Sequence, residues 1–188
     1  MTPAAVRQTN DGEAHVAVIN LEAVEEGFSS LQFEISADEL ELKDKFYTFP
    51  RPFRVTLDVS CASNTFGFRG RIEAEVRGDC CRCLAPVEEA FAASIELLVQ
   101  RKEASAEELE AIAEEEIVRI VDPGTREFDL REPLRDGLSM ELPIRVFCDA
   151  DCKGLCSTCG QNLNDVTCEC TEEKSDPRWE ALAKLRHL

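Results

Sequence analysis

Apolar and polar residues alternate along five stretches in the first hundred residues of the chain, with the period of two that predicts β-strands. The predicted strands are residues 15–21, 31–36, 53–60, 68–80 and 87–100. The fifth stretch is also rich in Ala and Glu, which favour helices, but the surrounding β pattern favours a strand there. Asn64 to Gly67 predicts a turn between the third and fourth strands, because Asn and Gly suit tight turns. Strands that follow one another so closely predict a mainly antiparallel sheet.

Helical patterns are shorter. Ser36, followed by Glu39, has the spacing of a capping box and predicts one helical turn. Residues 103–116 contain seven Glu and no basic residue, which fits either an acidic helix or a linker over about 103–117. A stripe with a spacing of four residues predicts a buried helix at Leu130, Leu134 and Leu138. A short amphipathic helix is predicted at the C-terminus by Trp179, Leu182 and Leu185.

Six of the ten cysteines lie within residues 148–170, in the pattern C-x3-C-x3-C-x2-C-x8-C-x-C. The inner LCSTCG resembles a zinc knuckle, because two thiolates two residues apart can bind one metal from a tight turn. Gly160 after the second thiolate can adopt a positive φ. The first predicted zinc site consists of Cys156, Cys159, Cys168 and Cys170. A disulfide cluster and a set of buried free thiols remain as alternatives.

A second cysteine pair, C-x2-C, lies at the end of the fourth predicted strand, without a following glycine. Two thiolates do not complete a tetrahedral site, and one pair in the terminal cluster is unused. The second predicted site therefore combines Cys80, Cys83, Cys148 and Cys152. The alternative is a single zinc ion with these four cysteines as free thiols. Zinc in such sites is structural, since catalytic sites keep an open position and His15 and His187 lie far away in sequence.

The formal net charge of −17 disfavours broad binding to a phosphate backbone, which requires a basic face. It suits association with a basic protein, or simply a solvated surface. A candidate strip for RNA contact consists of Arg69, Arg71, Arg77 and Arg82, and an ordinary solvated strand face is the alternative.

Several other classes of protein find no support in the sequence. There is no convergent carboxylate–His group and no Gly-rich phosphate loop, so we expect no enzyme and no small-molecule substrate. No apolar run approaches the 18 residues of a membrane span, and the N-terminus lacks the pattern of a secretory signal. A cytoplasmic location is expected, and in a reducing cytoplasm metal explains ten cysteines better than disulfides do.

Two motifs together resemble one known family. C-x-R-C-L-x-P-V begins at Cys80, and C-x-x-D-C-K-G-L-C-x-x-C-G-x-N-L-N begins at Cys148, followed by C-x-C and DPRW-x-A-L. This order is similar to that of the YceD family (DUF177), the large ribosomal RNA subunit accumulation proteins. The resemblance implies a non-enzymatic, cytoplasmic factor of ribosome biogenesis that supports accumulation of 23S ribosomal RNA. It supplies no catalytic residue and no biochemical mechanism.

These patterns predict an α+β protein with a mainly antiparallel β-sheet, helical segments and a cysteine-rich zinc-knuckle module. We expect a flexible tail over 1–14, a core domain over 15–147 and the knuckle module with its terminal helix over 148–188. The expected partner is a ribosomal protein or a large-subunit precursor particle. An alternative function is a zinc-dependent, redox-switched chaperone, because paired C-x-x-C and C-x-C motifs resemble the zinc site of such a chaperone. A thiol oxidoreductase would need a βαβ setting that this pattern lacks.

Overall fold

The computed structural model describes residues 17–105 and 117–170. Within them the chain forms two compact units. The first contains residues 17–78, 88–105 and 117–144, and the second contains 79–87 and 145–170. The predicted domains, a core over 15–147 and a knuckle module over 148–188, stay a prediction.

The first unit is built on a five-stranded sheet in which each strand lies beside the next one along the chain. Its strands are β2 (Gly27–Ile35), β3 (Phe53–Ala62), β4 (Thr65–Asp79), β5 (Pro86–Arg101) and β6 (Val118–Val121). Strand β3 is antiparallel to both β2 and β4. Strand β6 pairs in parallel with β5, from Leu98 opposite Val118 to Arg101 opposite Val121. The prediction of a mainly antiparallel sheet is therefore confirmed in part: the sheet is mixed, because its last strand pair is parallel, and strand β6 was not predicted.

A second, two-stranded sheet pairs β1 (Val18–Asn20) with β7 (Glu127–Asp129) in antiparallel register. Strand β7 leads directly into helix α1 (Arg131–Glu141). Three leucines of the predicted stripe are fully buried, namely Leu130, Leu134 and Leu138. The buried helix is therefore confirmed, although β7 was not predicted because three residues are too few for a period to show.

Alternation explains why the central strands form one face of the core. Every second residue of β3 is buried, from Phe53 to Cys61, and β4 continues this face with Phe66, Phe68 and Ile72. At Gly70 the two strands approach so closely that an added Cβ would lie 2.0 Å from the carbonyl oxygen of Thr56. The sheet and helix α1 thus share a core of 23 buried residues in the described part of the first unit.

The predicted local features differ in their outcomes. The capping box is confirmed: Ser36 N–H donates to the Glu39 carboxylate at 2.8 Å, and Glu39 N–H donates to Ser36 Oγ at 3.2 Å. The turn predicted at Asn64 to Gly67 is found at Ser63 and Asn64, since β4 already begins at Thr65. Ser63 makes this turn with a positive φ of 54°.

Three predictions fall outside the described residues: the tail over 1–14, most of the acidic segment (106–116) and the C-terminal helix. No helix in the described ranges, 17–105 and 117–170, has the length and apolar character needed to cross a membrane.

Candidate metal centres

The second unit contains two C-x2-C turns with the same backbone hydrogen bonds. In the first turn, the N–H of Leu84 donates to the carbonyl of Cys80 at 2.9 Å, and the N–H of Cys80 donates to the carbonyl of Ala85 at 2.8 Å. Both bonds close within six residues. The turn therefore places the sulfur atoms of Cys80 and Cys83 on one side without help from a distant segment.

The second turn repeats this pattern at the predicted knuckle. The N–H of Gly160 donates to the carbonyl of Cys156 at 2.9 Å, and the N–H of Cys156 donates to the carbonyl of Gln161 at 2.8 Å. Gly160 has the expected positive φ, 75°, while Leu84 occupies the equivalent position with φ 61°. The first turn thus forms a knuckle without glycine, and Leu84 accepts a left-handed conformation that costs a non-glycine residue about 1–2 kcal/mol.

The structure gathers four sulfur atoms from two distant segments into what we call cluster 1. Its members are Cys80, Cys83, Cys148 and Cys152, whose sulfur atoms all lie within 4.8 Å of one another. The Sγ atoms are 3.9 Å apart between Cys80 and Cys152, and 3.4 Å apart between Cys83 and Cys148. Four sulfurs at about 2.3 Å from one zinc ion would be roughly 3.8 Å apart. A disulfide bond would require about 2.05 Å, so the arrangement suits a shared metal rather than disulfides.

A second group, cluster 2, is formed within one short segment. Its members are Cys156, Cys159, Cys168 and Cys170, again with all sulfur atoms within 4.8 Å of one another. Three of the four cysteines of cluster 1 are buried, whereas those of cluster 2 are exposed or half-buried. The two sets match the predicted pairing of cysteines, and their binding of a metal stays a prediction. Cys61 and Cys81 belong to neither cluster, and all ten cysteines are free in this structure.

The pKa values of two thiols in cluster 1 shift in opposite directions. The pKa of Cys80 is lowered to about 6, chiefly by a hydrogen bond from the backbone of Cys148 and also by bonds from Arg82 and Cys83. The pKa of Cys148 is raised to about 12, first by its hydrogen bond with Cys83 and then by that with Cys152. A bound cation would favour the thiolate form of all four cysteines, because thiol ligands of a metal must be deprotonated.

The same division occurs in cluster 2. The pKa of Cys156 is lowered to about 6, first by the backbone of Cys159 and then by that of Thr158. The pKa of Cys170 is raised to about 12, with its hydrogen bond to Cys159 as the first cause. The second knuckle thus stabilises the thiolate of its first cysteine through N–H groups of the turn itself, whereas the Cys80 thiolate of the first knuckle depends chiefly on the backbone of Cys148.

Arg82 lies between the ligand candidates of the first knuckle and organises the facing loop. Its guanidinium donates to the carbonyls of Ala150 at 3.0 Å and Cys152 at 2.9 Å, and it lies over the ring of Phe147 at 4.9 Å. Its backbone N–H is 3.5 Å from the Cys80 sulfur. Arg82 was predicted to belong to an RNA-binding strip, whereas its side chain in the structure contacts the loop of cluster 1.

Asn164 was not predicted to be a site residue, although it is the last residue of the long motif that begins at Cys148. Its side-chain Nδ2 donates to the Cys152 sulfur at 3.3 Å, and this bond is the first cause of a lowered pKa of the Cys152 thiol. The N-x-N motif of Asn162 and Asn164 was the available signal, since Asn side chains readily bond to nearby backbone in turns.

The other three arginines of the candidate RNA-binding strip lie on the exposed face of β4, as their shared parity predicts. Each has a carboxylate partner: Arg69 pairs with Glu96, Arg71 with Glu73 at 3.8 Å, and Arg77 with Glu88. The positive charges on this strand are therefore offset by neighbouring glutamates, and RNA binding here stays a prediction.

A family model described as "Large ribosomal RNA subunit accumulation protein YceD" matches residues 68–186. The chain belongs to the YceD family. The YceD match covers well over half of the chain and includes all eight clustered cysteines. No solved structure matches this YceD chain significantly.

Curated relatives cover shorter parts. An uncharacterized protein of Mycobacterium tuberculosis is 33% identical over 116 residues, which are 62% of this chain and 53% of that protein. The proteins named "Large ribosomal RNA subunit accumulation protein YCED homolog 1, chloroplastic" are 39% identical over 64 residues in Arabidopsis thaliana and 44% identical over 46 residues in Zea mays. Those stretches are 34% and 24% of this chain, and 20% and 15% of the plant proteins. The match to the mycobacterial relative thus spans about half of that protein's length.

Proposed function

We propose that this chain is a non-enzymatic factor of ribosome biogenesis that supports the accumulation of 23S ribosomal RNA in the cytoplasm. The observation that carries the proposal is the YceD family match over residues 68–186. The matched region contains both cysteine clusters, so the family's region is also where this chain concentrates its candidate chemistry.

The proposal assigns one structural zinc ion to each cluster. Support comes from the sulfur separations of 3.4 and 3.9 Å in cluster 1 and from the backbone N–H groups that stabilise thiolates in both knuckles. A set of four thiolates suits zinc, and it leaves no open position for a reacting water. Zinc would therefore hold the loops of the second unit in place, and it would supply no reaction.

The proposed partner is a ribosomal protein or a precursor ribonucleoprotein with a basic surface. A net charge of −17 attracts such a surface and repels a bare phosphate backbone. The carboxylate partners of the arginines on β4 support the same choice, since these guanidinium groups are already paired with Glu.

A depletion experiment in the host tests this function. The ratio of 23S to 16S ribosomal RNA, with precursors resolved, is measured after depletion and after complementation with wild-type protein or with the C80S and C81S variants. We expect depletion to lower the amount of 23S RNA selectively. Wild type and C81S should return it to normal and C80S should not, because Cys80 belongs to a cluster and Cys81 does not. An unchanged ratio would contradict the proposal. Zinc release by peroxide with a gain of chaperone activity would then support the redox-switched alternative.

A further inference from the structure

The loop between the second knuckle and Cys168 belongs to cluster 2 by sequence, but one of its side chains contacts cluster 1. Asn164 donates its Nδ2 hydrogen to the Cys152 sulfur at 3.3 Å. The amide oxygen of the same side chain accepts the backbone N–H of Lys153 at 2.8 Å. Both ends of this amide therefore bond to the chain around a ligand candidate of cluster 1.

Neighbouring residues hold the Asn164 amide in this orientation. Asn162 Oδ1 accepts from the backbone N–H of Asn164 at 3.1 Å and from its Nδ2 at 2.8 Å. The N–H of Leu163 donates to the carbonyl of Gly154 at 2.9 Å, and Asn162 forms an isolated β-bridge with Leu155. The loop is thus fastened to residues 154 and 155, which join the two clusters in sequence.

The sulfur contacted by Asn164 would carry negative charge in a zinc site, and that charge has to be stabilised. Four thiolates around one divalent zinc ion carry a formal charge of −2, which N–H donors to sulfur help to stabilise. Removing an outer-shell partner of a metal ligand typically lowers metal affinity 10–100-fold. The loop that presents Asn164 begins after Cys159 and ends at Cys168, both in cluster 2. A metal bound in cluster 2 would therefore close this loop at both of its ends.

We propose that Asn164 couples the two metal sites, so that zinc in cluster 2 closes the loop and raises the affinity of cluster 1 for its own zinc. The inference rests on the proposed zinc binding. Coupling of two binding equilibria is reciprocal, so zinc in cluster 1 raises the affinity of cluster 2 by the same factor. Asn164 is then a positioning residue that acts on the metal through the Cys152 sulfur.

Stepwise zinc affinities, measured on the full chain by competition with a chromophoric chelator and counted by native mass spectrometry, test the coupling. In N164D the carboxylate keeps an acceptor for Lys153 N–H but loses the donor to sulfur, and we expect the zinc affinity of cluster 1 to fall 10–100-fold. In N164A, which adds no charge, the zinc affinity of cluster 1 should fall by a factor in the same range. The matched control is K153Q, which changes the net charge by the same amount and keeps the amide donor, and its affinity should stay within about threefold of wild type.

A double-mutant cycle separates coupling from a local effect. Disabling cluster 2 with C168S and C170S should lower the affinity of cluster 1 about as much as N164D does. Combined with N164D, the same cluster 2 change should lower it no further. The coupling would be overturned if disabling cluster 2 lowered the zinc affinity of cluster 1 equally with and without Asn164. It would also be overturned if disabling cluster 2 left that affinity unchanged. A purified wild-type protein that binds no zinc would instead contradict the proposed zinc sites, so the two failures are distinguishable.

Discussion

Removing the metal is expected to unfold the second unit and to leave the first unit folded. Structural zinc contributes about 10–16 kcal/mol per site in small domains. The buried apolar cluster of the second unit consists of Cys80, Cys83 and Cys152, with Ala85, Val87 and Leu155 packed against it. Full burial of a Val or Leu side chain contributes about 1.5–3 kcal/mol, so this cluster supplies only on the order of 5 kcal/mol. Ordering each backbone residue costs about 1–2 kcal/mol, and the cluster alone cannot offset that cost over the whole unit.

Hydrogen exchange measured by mass spectrometry can report the two units separately. In the second unit the N–H of Cys81 donates to Val146, that of Leu155 to Arg82, and that of Leu163 to Gly154. We expect peptides that contain these amides to lose protection after metal is chelated. Peptides from β3 and β4 should keep theirs, because the first unit has its own core of 23 buried residues. Protection should return when zinc is added back.

The control is the C61A variant, because Cys61 lies in the core of the first unit and outside both clusters. It should bind as much zinc as wild type and show the same regional loss of protection on chelation. If Leu155 and Leu163 remained protected after mass spectrometry had verified complete metal removal, the claim that metal binding provides the folding energy of the second unit would be refuted.

Three further predictions concern single residues. By mass spectrometry, the C80S variant should bind one zinc ion fewer per chain than wild type, and C81S should bind as many as wild type. The reason is that Cys80 belongs to a cluster and Cys81 does not. Equal losses in the two variants would contradict this assignment. The G70A variant should lower the free energy of unfolding in urea by about 2 kcal/mol, since its Cβ would lie 2.0 Å from a backbone oxygen. In the control G124A the Cβ meets nothing within 4 Å, and a similar loss there would refute the steric reason. The L84G variant should raise zinc affinity by up to about fivefold, because relief of the positive φ of Leu84, about 1–2 kcal/mol, exceeds the extra backbone entropy that glycine loses, about 0.5–1 kcal/mol; an affinity below wild type would argue against strain at this turn.

Features that depend on only a few neighbouring residues were predictable from the sequence. The alternation of β3 and the capping box at Ser36 follow from spacings that the strand and the turn themselves require. The knuckle at Cys156 is another case, since all of its backbone hydrogen bonds close within six residues. Strands β6 and β7 carry too few residues to show a period, so they were missed.

Long-range pairings depended on the tertiary structure. Counting unused cysteine pairs suggested cluster 1, but a single zinc site fitted the spacing equally well. The sulfur of Cys80 meets that of Cys152 only because the fold brings together residues 72 positions apart. The parallel pairing of β5 with β6 and the ion pair between Arg69 and Glu96 are of the same kind.

The sequence by itself determined the alternation of the central strands, the leucine stripe of α1 and the two C-x2-C turns, because each is specified by side chains a few residues apart. Only the tertiary structure decided which four sulfurs share a cluster and that Asn164 reaches across to Cys152. Contacts between distant segments depend on how the whole chain packs, and the spacing of neighbouring residues does not specify that packing.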